Sequence, residues 1–240
     1  MNRKDRFIYK KILPLFTNFF DKYLFTSFEE RRTNIYHEYN VNDYRADKNK
    51  VILIHVPKTG GLSIWKLLEN ENVLFNFNKK SRHNPVSLLC QPKDYKYITF
   101  LRNPISRVYS YYHMALKVKW SPDHFHAKKS LAMFLQNCIS AKNLSCQYFS
   151  GLIRENVDEN IYNLAKQNLK NFYFVGLFEN FNNDCLKLIK LLDLKNKNII
   201  IPKIKPTSYE NITDEEKLLI KTYNYYDIKL YENFLNEYKN

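Results

Sequence analysis

Residues 51–68 constrain the fold more than any other part of the chain. The run at 51–54 is apolar, made of valine, isoleucine and leucine without polar alternation, which is typical of a strand buried on both faces of a parallel sheet. A Gly60–Gly61 pair follows, and apolar residues then recur at helical spacing at Leu62, Trp65 and Leu68. The stretch therefore predicts a buried strand, a glycine turn and a helix whose inward face carries these three side chains.

The turn between this strand and helix has the composition of an anion-binding loop. Backbone N–H groups at a helix start attract phosphate, and Lys58, Thr59 and Ser63 add one positive charge and two hydroxyl groups. The chain has only four glycines and two are adjacent here, which indicates positions where a Cβ would collide with a neighbour. The lysine precedes the glycines, unlike in a Walker A loop, and G-x-G-x-x-G is absent. Both facts disfavour a nucleotide kinase and a dinucleotide-binding protein, and an ordinary strand-to-helix turn is the alternative.

A second motif follows the next predicted strand, at residues 95–101. Pro104 at a first helical position predicts a helix over residues 104–118. Arg102 then lies at the strand end and Ser110 on the helix, and a guanidinium with a hydroxyl suits a terminal phosphate. Because the carboxyl ends of parallel strands share one edge, we expect Lys58 and Arg102 to face one crevice. Alternatively, Arg102 pairs with a carboxylate and Ser110 lies on the helix surface, while Arg107 either adds a charge or holds the loop.

The alternation of strands and helices predicts an α/β fold, with a P-loop-like central parallel sheet flanked by helices and carrying helical additions. Residues 1–49 form a helical lead-in and residues 50–240 the main domain. Further strands are expected at 73–77 and 172–176, a loop at 120–126, and helices at 131–139, 144–152, 158–169 and 179–194. A capping box at Thr213–Glu216 opens another helix, and the last helix begins at Asn224.

Composition narrows the classes of partner. The net charge of +14 suits a polyanionic ligand, an acidic acceptor or a nucleic acid. The lysines are scattered and no nucleic-acid-binding motif is present, so we expect no nucleic-acid partner, although a basic nucleic-acid-binding module is kept as an alternative. The four cysteines form no C-x-x-C pair, and no Glu-x-x-His set occurs, so we expect buried free thiols and no metal. The sequence does not define an oligomeric state.

The segment at 12–28 is apolar in part, but Asn18, Asp21 and Lys22 interrupt it, and no run reaches the roughly 20 apolar residues that a span requires. We interpret it as an amphipathic helix that docks on the domain, with binding to a membrane surface as the alternative. A cytoplasmic protein without a transmembrane span is therefore expected.

Taken together, the two motifs resemble those of the sulfotransferases that use 3′-phosphoadenosine-5′-phosphosulfate (PAPS), and most closely the type 2, carbohydrate group that includes the heparan-sulfate enzymes. His55-Val-Pro-Lys-Thr-Gly-Gly-Leu-Ser63 resembles the 5′-phosphosulfate loop, and Arg102-Asn-Pro-Ile-Ser-Arg-Val-Tyr-Ser110 resembles the 3′-phosphate motif. Residues 174–181 and 224–231 are similar to the late strand–helix junction and the C-terminal helix of that family. Leu62 departs from the pattern, since many members have a small or hydroxyl residue there.

The resemblance implies a reaction and a role for each matching residue. A sulfuryl group would move from PAPS to a hydroxyl of an anionic or neutral glycan by in-line displacement, without a metal. Lys58 would stabilise the leaving phosphate, and Arg102 with Ser110 would hold the 3′-phosphate. The 5′-phosphosulfate would be cradled by the backbone and hydroxyls of Thr59, Gly60, Gly61, Leu62 and Ser63.

The attacking hydroxyl must also lose a proton, and histidine suits this task. His83 is the candidate base, because it lies in a polar loop between the two motifs where similar family members place a catalytic histidine; a surface histidine is the alternative. Neighbouring Lys79, Lys80 and Arg82 suit an anionic glycan. His55 is expected to be structural, His113 to pack or lie on the surface, and His124 and His126 are acceptor-site candidates. A tyrosine or a small alcohol is the alternative acceptor.

Overall fold

The computed structural model describes residues 50–74, 96–119, 121–153, 156–194 and 212–238. The predicted lead-in at 1–49, the candidate base His83 and the basic residues Lys79, Lys80 and Arg82 lie outside the described residues. The fourth cysteine, Cys90, lies outside them as well.

A parallel sheet of three strands lies at the centre of the described structure. Its strands are β1 (Val51–Leu53), β2 (Lys96–Leu101) and β3 (Phe174–Leu177), in the spatial order β1-β2-β3. Both strand pairs are parallel, so the three carboxyl ends lie at one edge. The predicted α/β fold with a parallel sheet flanked by helices is confirmed.

Leu74 extends this sheet beside β1, through an isolated parallel bridge to Val51. The Val51 N–H donates to the Val73 carbonyl at 2.8 Å. Of the strand predicted at 73–77, residues 73 and 74 lie within the described part of the chain, and Leu74 forms this bridge. The strand predicted at 172–176 is shifted, since it begins at Phe174.

Helices connect and cover the strands. Their bounds are α1 (Gly61–Asn70), α2 (Pro104–Lys117), α3 (Pro122–Lys129), α4 (Leu131–Asn137), α5 (Leu144–Ser150), α6 (Glu159–Lys170), α7 (Phe181–Leu191), α8 (Asp214–Tyr223) and α9 (Tyr225–Tyr238). Short 3₁₀ turns lie at Ile139–Ala141 and Phe178–Asn180. The predicted capping box is confirmed, because Thr213 Oγ1 accepts from the Glu216 N–H at 3.1 Å and the Glu216 carboxylate accepts from the Thr213 N–H at 3.0 Å.

The sheet is covered on both faces because successive residues of a strand point to opposite sides. Ile52, Ile54 and Tyr97 face a cluster formed by α5, α6 and α9, whereas Val51, Leu53 and Ile98 face a cluster formed by α1 and α7. A third cluster, away from the sheet, joins α2, α3, α4 and α8 through Val108, Ala127, Phe134, Leu135 and Ile220.

Two local predictions are wrong. Residues 120–126 were expected to form a loop, but α3 begins at Pro122, where proline at a first helical turn and Asp123 beside the helix N-terminus favour a helix start. Leu62 was expected to face inward, yet it is 50% exposed, while Ile64 and Leu68 are fully buried. The inward face of α1 is set by Ile64, Trp65 and Leu68, and Leu62 lies outside that stripe.

Cys138, Cys146 and Cys185 are buried free thiols, as expected, and burial is the main cause that raises their pKa values. None of the helices described is both long and apolar enough to cross a membrane. In the same part of the chain, no group of three or more His, Cys, Asp or Glu side chains is arranged to hold a metal ion.

Candidate functional site at the carboxyl edge of the sheet

The loop after β1 reverses direction through two left-handed backbone conformations. Lys58 has φ 75°, and Gly60, the N-cap residue of α1, has φ 83°. Thr59 stabilises the turn from within, because its hydroxyl donates to the Val56 carbonyl at 2.9 Å. Its proton is therefore used inside the loop, and a ligand could meet that buried oxygen only as a donor.

Gly61 is required by close packing. A Cβ at this position would lie 1.9 Å from Cδ2 of His55, whose side chain is 3% exposed. The collision that the sequence predicts for a paired glycine is thus confirmed at Gly61. His55 serves as the surface against which the first turn of α1 packs.

The start of α1 leaves backbone donors available. No acceptor in the described part of the chain receives the N–H groups of Gly60, Gly61 or Leu62, whereas the Ser63 N–H donates to the Gly60 carbonyl at 3.0 Å. A helix of ten residues presents such N–H groups, with the positive end of its dipole, to an anion. The exposed side chain of Leu62 leaves its N–H in place, so this departure from the family pattern does not remove a donor.

Arg102 joins the two motifs directly. Its Nη1 donates to the Lys58 carbonyl at 2.7 Å, and its Nε donates to Ser106 Oγ at 3.2 Å. The guanidinium carbon lies 4.0 Å from the centre of the Phe178 ring, which follows β3. Lys58 and Arg102 therefore meet at the carboxyl edge of the sheet, as expected, and Phe178 packs against the guanidinium.

The transition from β2 to α2 places Arg102 in this position. Asn103 caps α2, since its Oδ1 accepts from the N–H groups of Ile105 at 3.0 Å and Ser106 at 3.3 Å. Pro104 occupies the first turn, where its missing N–H costs no hydrogen bond. The chain therefore changes from strand to helix within two residues, and Arg102 remains at the sheet edge.

The charged forms of Lys58 and Arg102 are disfavoured at this edge of the sheet. Burial lowers the pKa of Arg102 to about 10, with the neighbouring Glu179 acting in the opposite direction and Arg107 adding to the lowering. The pKa of Lys58 is lowered first by burial and then by the charges of Arg102 and Lys117. With a pKa of about 10, Arg102 stays charged at neutral pH. A bound anion would offset the cost of burying the charges of both side chains.

Ser110 and Lys117 lie on the helical face that also holds Ser106. Ser110 is 4% exposed, and its hydroxyl makes no hydrogen bond within the described residues. Lys117 follows seven residues later, close to two helical turns, and is exposed in the last turn of α2. Sequence reasoning placed Ser106 and Ser110 on one helical face but missed Lys117, although its spacing from Ser110 gave the signal.

Arg107, the second arginine of the motif, has different contacts from Arg102. It is fully buried, its Nη1 donates to the Ser140 carbonyl at 3.3 Å, and Asp227 opposes the lowering of its pKa by burial. Within the described residues its hydrogen bond goes to the 3₁₀ turn Ile139–Ala141 rather than to the loop after β2, while its charge contributes to the lowered pKa of Arg102.

The described histidines other than His55 lie away from the loop's donors. His113 packs edge-on against Tyr109, with ring centres 4.5 Å apart, in agreement with the expected packing role. Nδ1 of His124 lies 3.0 Å from the Ala115 carbonyl, and His126 is 4% exposed. Both belong to α3 rather than to an open loop.

No model of a known protein family matches the chain, and no curated protein matches it in sequence. The functional assignment therefore depends on the residues and on their geometry. What that geometry offers is a set of backbone donors, an ammonium and a guanidinium at one edge of a parallel sheet, which is suited to an extended ligand with two phosphate groups.

Proposed function

We propose that the protein is a PAPS-dependent O-sulfotransferase that acts on a hydroxyl group of a carbohydrate. The observation that carries this proposal is the hydrogen bond from Arg102 Nη1 to the Lys58 carbonyl, at 2.7 Å. It joins the turn that we propose for the 5′-phosphosulfate to the arginine that we propose for the 3′-phosphate. A single ligand with both groups would span the two motifs.

In the proposed reaction, the acceptor oxygen forms a bond to sulfur while the bond from sulfur to the bridging oxygen breaks. The electron pair passes to the 5′-phosphate, where Lys58 and the N–H groups of Gly60, Gly61 and Leu62 stabilise the developing charge. The proton of the acceptor hydroxyl passes to a base, for which His83, outside the described residues, is the candidate. Arg102 and Ser110 hold the 3′-phosphate, which distinguishes PAPS from ATP.

The first test is calorimetric titration of the protein with the product nucleotide 3′-phosphoadenosine-5′-phosphate (PAP), with ADP as the matched control. PAP should bind at least about tenfold more tightly than ADP, because only PAP places a phosphate near Arg102. Equal affinities, or no binding of either nucleotide, would contradict the proposal.

A second test addresses chemistry. Sulfate transfer from labelled PAPS is measured with an anionic glycan, a neutral glycan, a tyrosine peptide and a small alcohol as acceptors. Lys58→Ala should abolish transfer, whereas Lys66→Ala, which removes an exposed lysine of α1, should leave it unchanged. His83→Ala should lose transfer and His113→Ala keep it, if His83 is the base. Preferred transfer to the peptide or the alcohol would replace the glycan as the acceptor class.

A further inference from the structure

Glu179 is the acidic residue at the carboxyl end of β3, in the 3₁₀ turn Phe178–Asn180. Its Oε1 accepts from the N–H of Asn103 at 2.8 Å, and its Oε2 accepts from the Tyr231 hydroxyl at 3.1 Å. Asn103 directly follows Arg102. The carboxylate thus connects the end of β2 with α9 at the point where Arg102 leaves the sheet.

The same turn contacts Arg102 in a second way, because the Phe178 ring lies against the guanidinium. A ring face restricts the plane of the guanidinium, so that its N–H groups donate within that plane. Phe178 therefore fixes the orientation of Arg102, and Glu179 fixes the backbone beside it. Glu179 also supplies negative charge close to Arg102, as its effect on that side chain's pKa indicates.

A glutamate close to a proposed phosphate site is an obvious candidate for a catalytic base. Each oxygen of Glu179 accepts a hydrogen bond from a main-chain or tyrosine donor, so two contacts on opposite elements hold the carboxylate in place. A function through Arg102 agrees better with its contacts.

We infer that Glu179 is a positioning residue that holds Arg102 at the edge of the sheet and whose negative charge weakens the hold on the 3′-phosphate, so that the product nucleotide can leave. This inference rests on the proposed function. A phosphate near Arg102 would be attracted by the guanidinium and repelled by the carboxylate. Fast release of a nucleotide product matters because release, rather than chemistry, limits many enzymes.

The test uses Glu179→Gln, which removes the charge and keeps the shape. The amide oxygen can still accept from Asn103, and the Tyr231 hydroxyl can turn to accept from the amide nitrogen. We expect PAP to bind about tenfold more tightly, with the gain in a slower dissociation rate, and ADP affinity to stay within about twofold. Glu159→Gln is the control, because it removes an exposed carboxylate that pairs with Lys229 at 2.8 Å, in another part of the molecule.

A second variant separates charge from positioning. Glu179→Ala removes the charge and both hydrogen bonds, so its PAP affinity should be lower than that of Glu179→Gln. Thermal unfolding shows whether each variant is folded. A role limited to stability cannot produce a gain in affinity, which makes the gain the decisive result.

The outcomes are distinguishable from those of the proposed function. If the native protein prefers PAP to ADP and Glu179→Gln binds PAP no more tightly than before, the inference is wrong and the proposed function stands. If the native protein shows no preference for PAP, the proposed function fails and this inference fails with it.

Discussion

Two arginines of one motif, Arg102 and Arg107, have opposite surroundings. Arg107 is fully buried near Asp227, whose carboxylate also accepts from the N–H groups of Ser145 at 2.9 Å and Cys146 at 2.8 Å. Arg102 lies at the sheet edge, where it donates to the Lys58 carbonyl. At that edge Lys58 and Lys117 form no ion pair within the part of the chain that the structure describes.

The difference shows how one sequence motif serves two purposes. Around Arg107 the chain supplies its own counter-charge through nearby Asp227, and the hydrogen bonds of that carboxylate link α9 to α5. Around Arg102 and Lys58, within the part of the chain that the structure describes, the cations outnumber the neighbouring carboxylates, which favours an anionic ligand there. Loss of a charge should therefore cost stability in the first region and ligand affinity in the second.

The largest effect is expected from Asp227→Asn. This change removes the counter-charge of buried Arg107 and turns an amide nitrogen toward N–H groups at the start of α5, at a cost of about 3–5 kcal/mol of unfolding free energy. Urea unfolding followed by circular dichroism measures it, with Glu232→Gln, an exposed position of α9, as the control. The double variant Arg107→Met with Asp227→Leu should be more stable than Asp227→Asn. A loss of unfolding free energy below about 1 kcal/mol would show that Asp227 does not stabilise the region around Arg107.

Arg102→Lys tests the other side. Lysine keeps a charge but loses the planar fork and its stacking on Phe178, so PAP affinity should fall about 100-fold. ADP affinity should change by less than about threefold, and the unfolding free energy by less than for Asp227→Asn. Calorimetry with both nucleotides and urea unfolding measure the three quantities. An equal loss for PAP and ADP would show that Arg102 acts through the loop rather than on the 3′-phosphate.

Gly61→Ala probes the packing beneath the loop. The new Cβ would overlap the His55 ring, and the clash should cost about 1–3 kcal/mol in thermal or urea unfolding. Removal of the ring in the double variant His55→Ala with Gly61→Ala should restore part of the loss. Leu62→Ala, at an exposed neighbouring position, is the control and should change stability by less than about 0.5 kcal/mol.

The pH dependence of PAP binding tests the charge on Lys58. Burial and neighbouring cations lower its pKa below the usual 10.5, and a bound phosphate raises it again. Affinity is therefore full below the lowered pKa of the free protein. It declines as the pH rises through that pKa, because binding then requires Lys58 to take up a proton. Lys58→Met should flatten most of this decline, and an unchanged profile would exclude Lys58 from the phosphate site.

Lys117→Ala should have the smallest effect. Lys117 is exposed, so its loss should weaken PAP binding about threefold at low ionic strength. The difference from the native protein should vanish in roughly 1 M salt, where exposed charges are screened. Titrations at two salt concentrations measure it, with Lys66→Ala as the matched exposed lysine.

The sequence predicted those features that local patterns determine. Apolar runs located β1 and β2, Pro104 located the start of α2, and the Thr213 capping box located α8. The convergence of Lys58 and Arg102 followed from the geometry of parallel strands. By contrast, α3 lacks an apolar periodicity, so only Pro122 and Asp123 at its start indicated a helix rather than a loop.

Contacts between distant residues could not be predicted in this way. Glu179 meets Asn103 across 76 positions of sequence, and Asp227 meets Cys146 across 81. Such pairs depend on how α5, α7 and α9 pack, which one sequence without its relatives does not reveal. For that reason the sequence could predict that the two motifs meet, but it could not predict the hydrogen bond from Arg102 to the Lys58 carbonyl.

The order of the strands has a consequence for the order of folding events. β2 and β3 are neighbours in space, yet α2, α3, α4, α5 and α6 all lie between them in sequence. Closing so long a loop is entropically costly, and contacts of this kind form slowly. We therefore expect the contact between Phe178 and Arg102 to form late, after the helices between the strands have collapsed. A nucleotide present during refolding should stabilise the completed edge rather than accelerate its assembly.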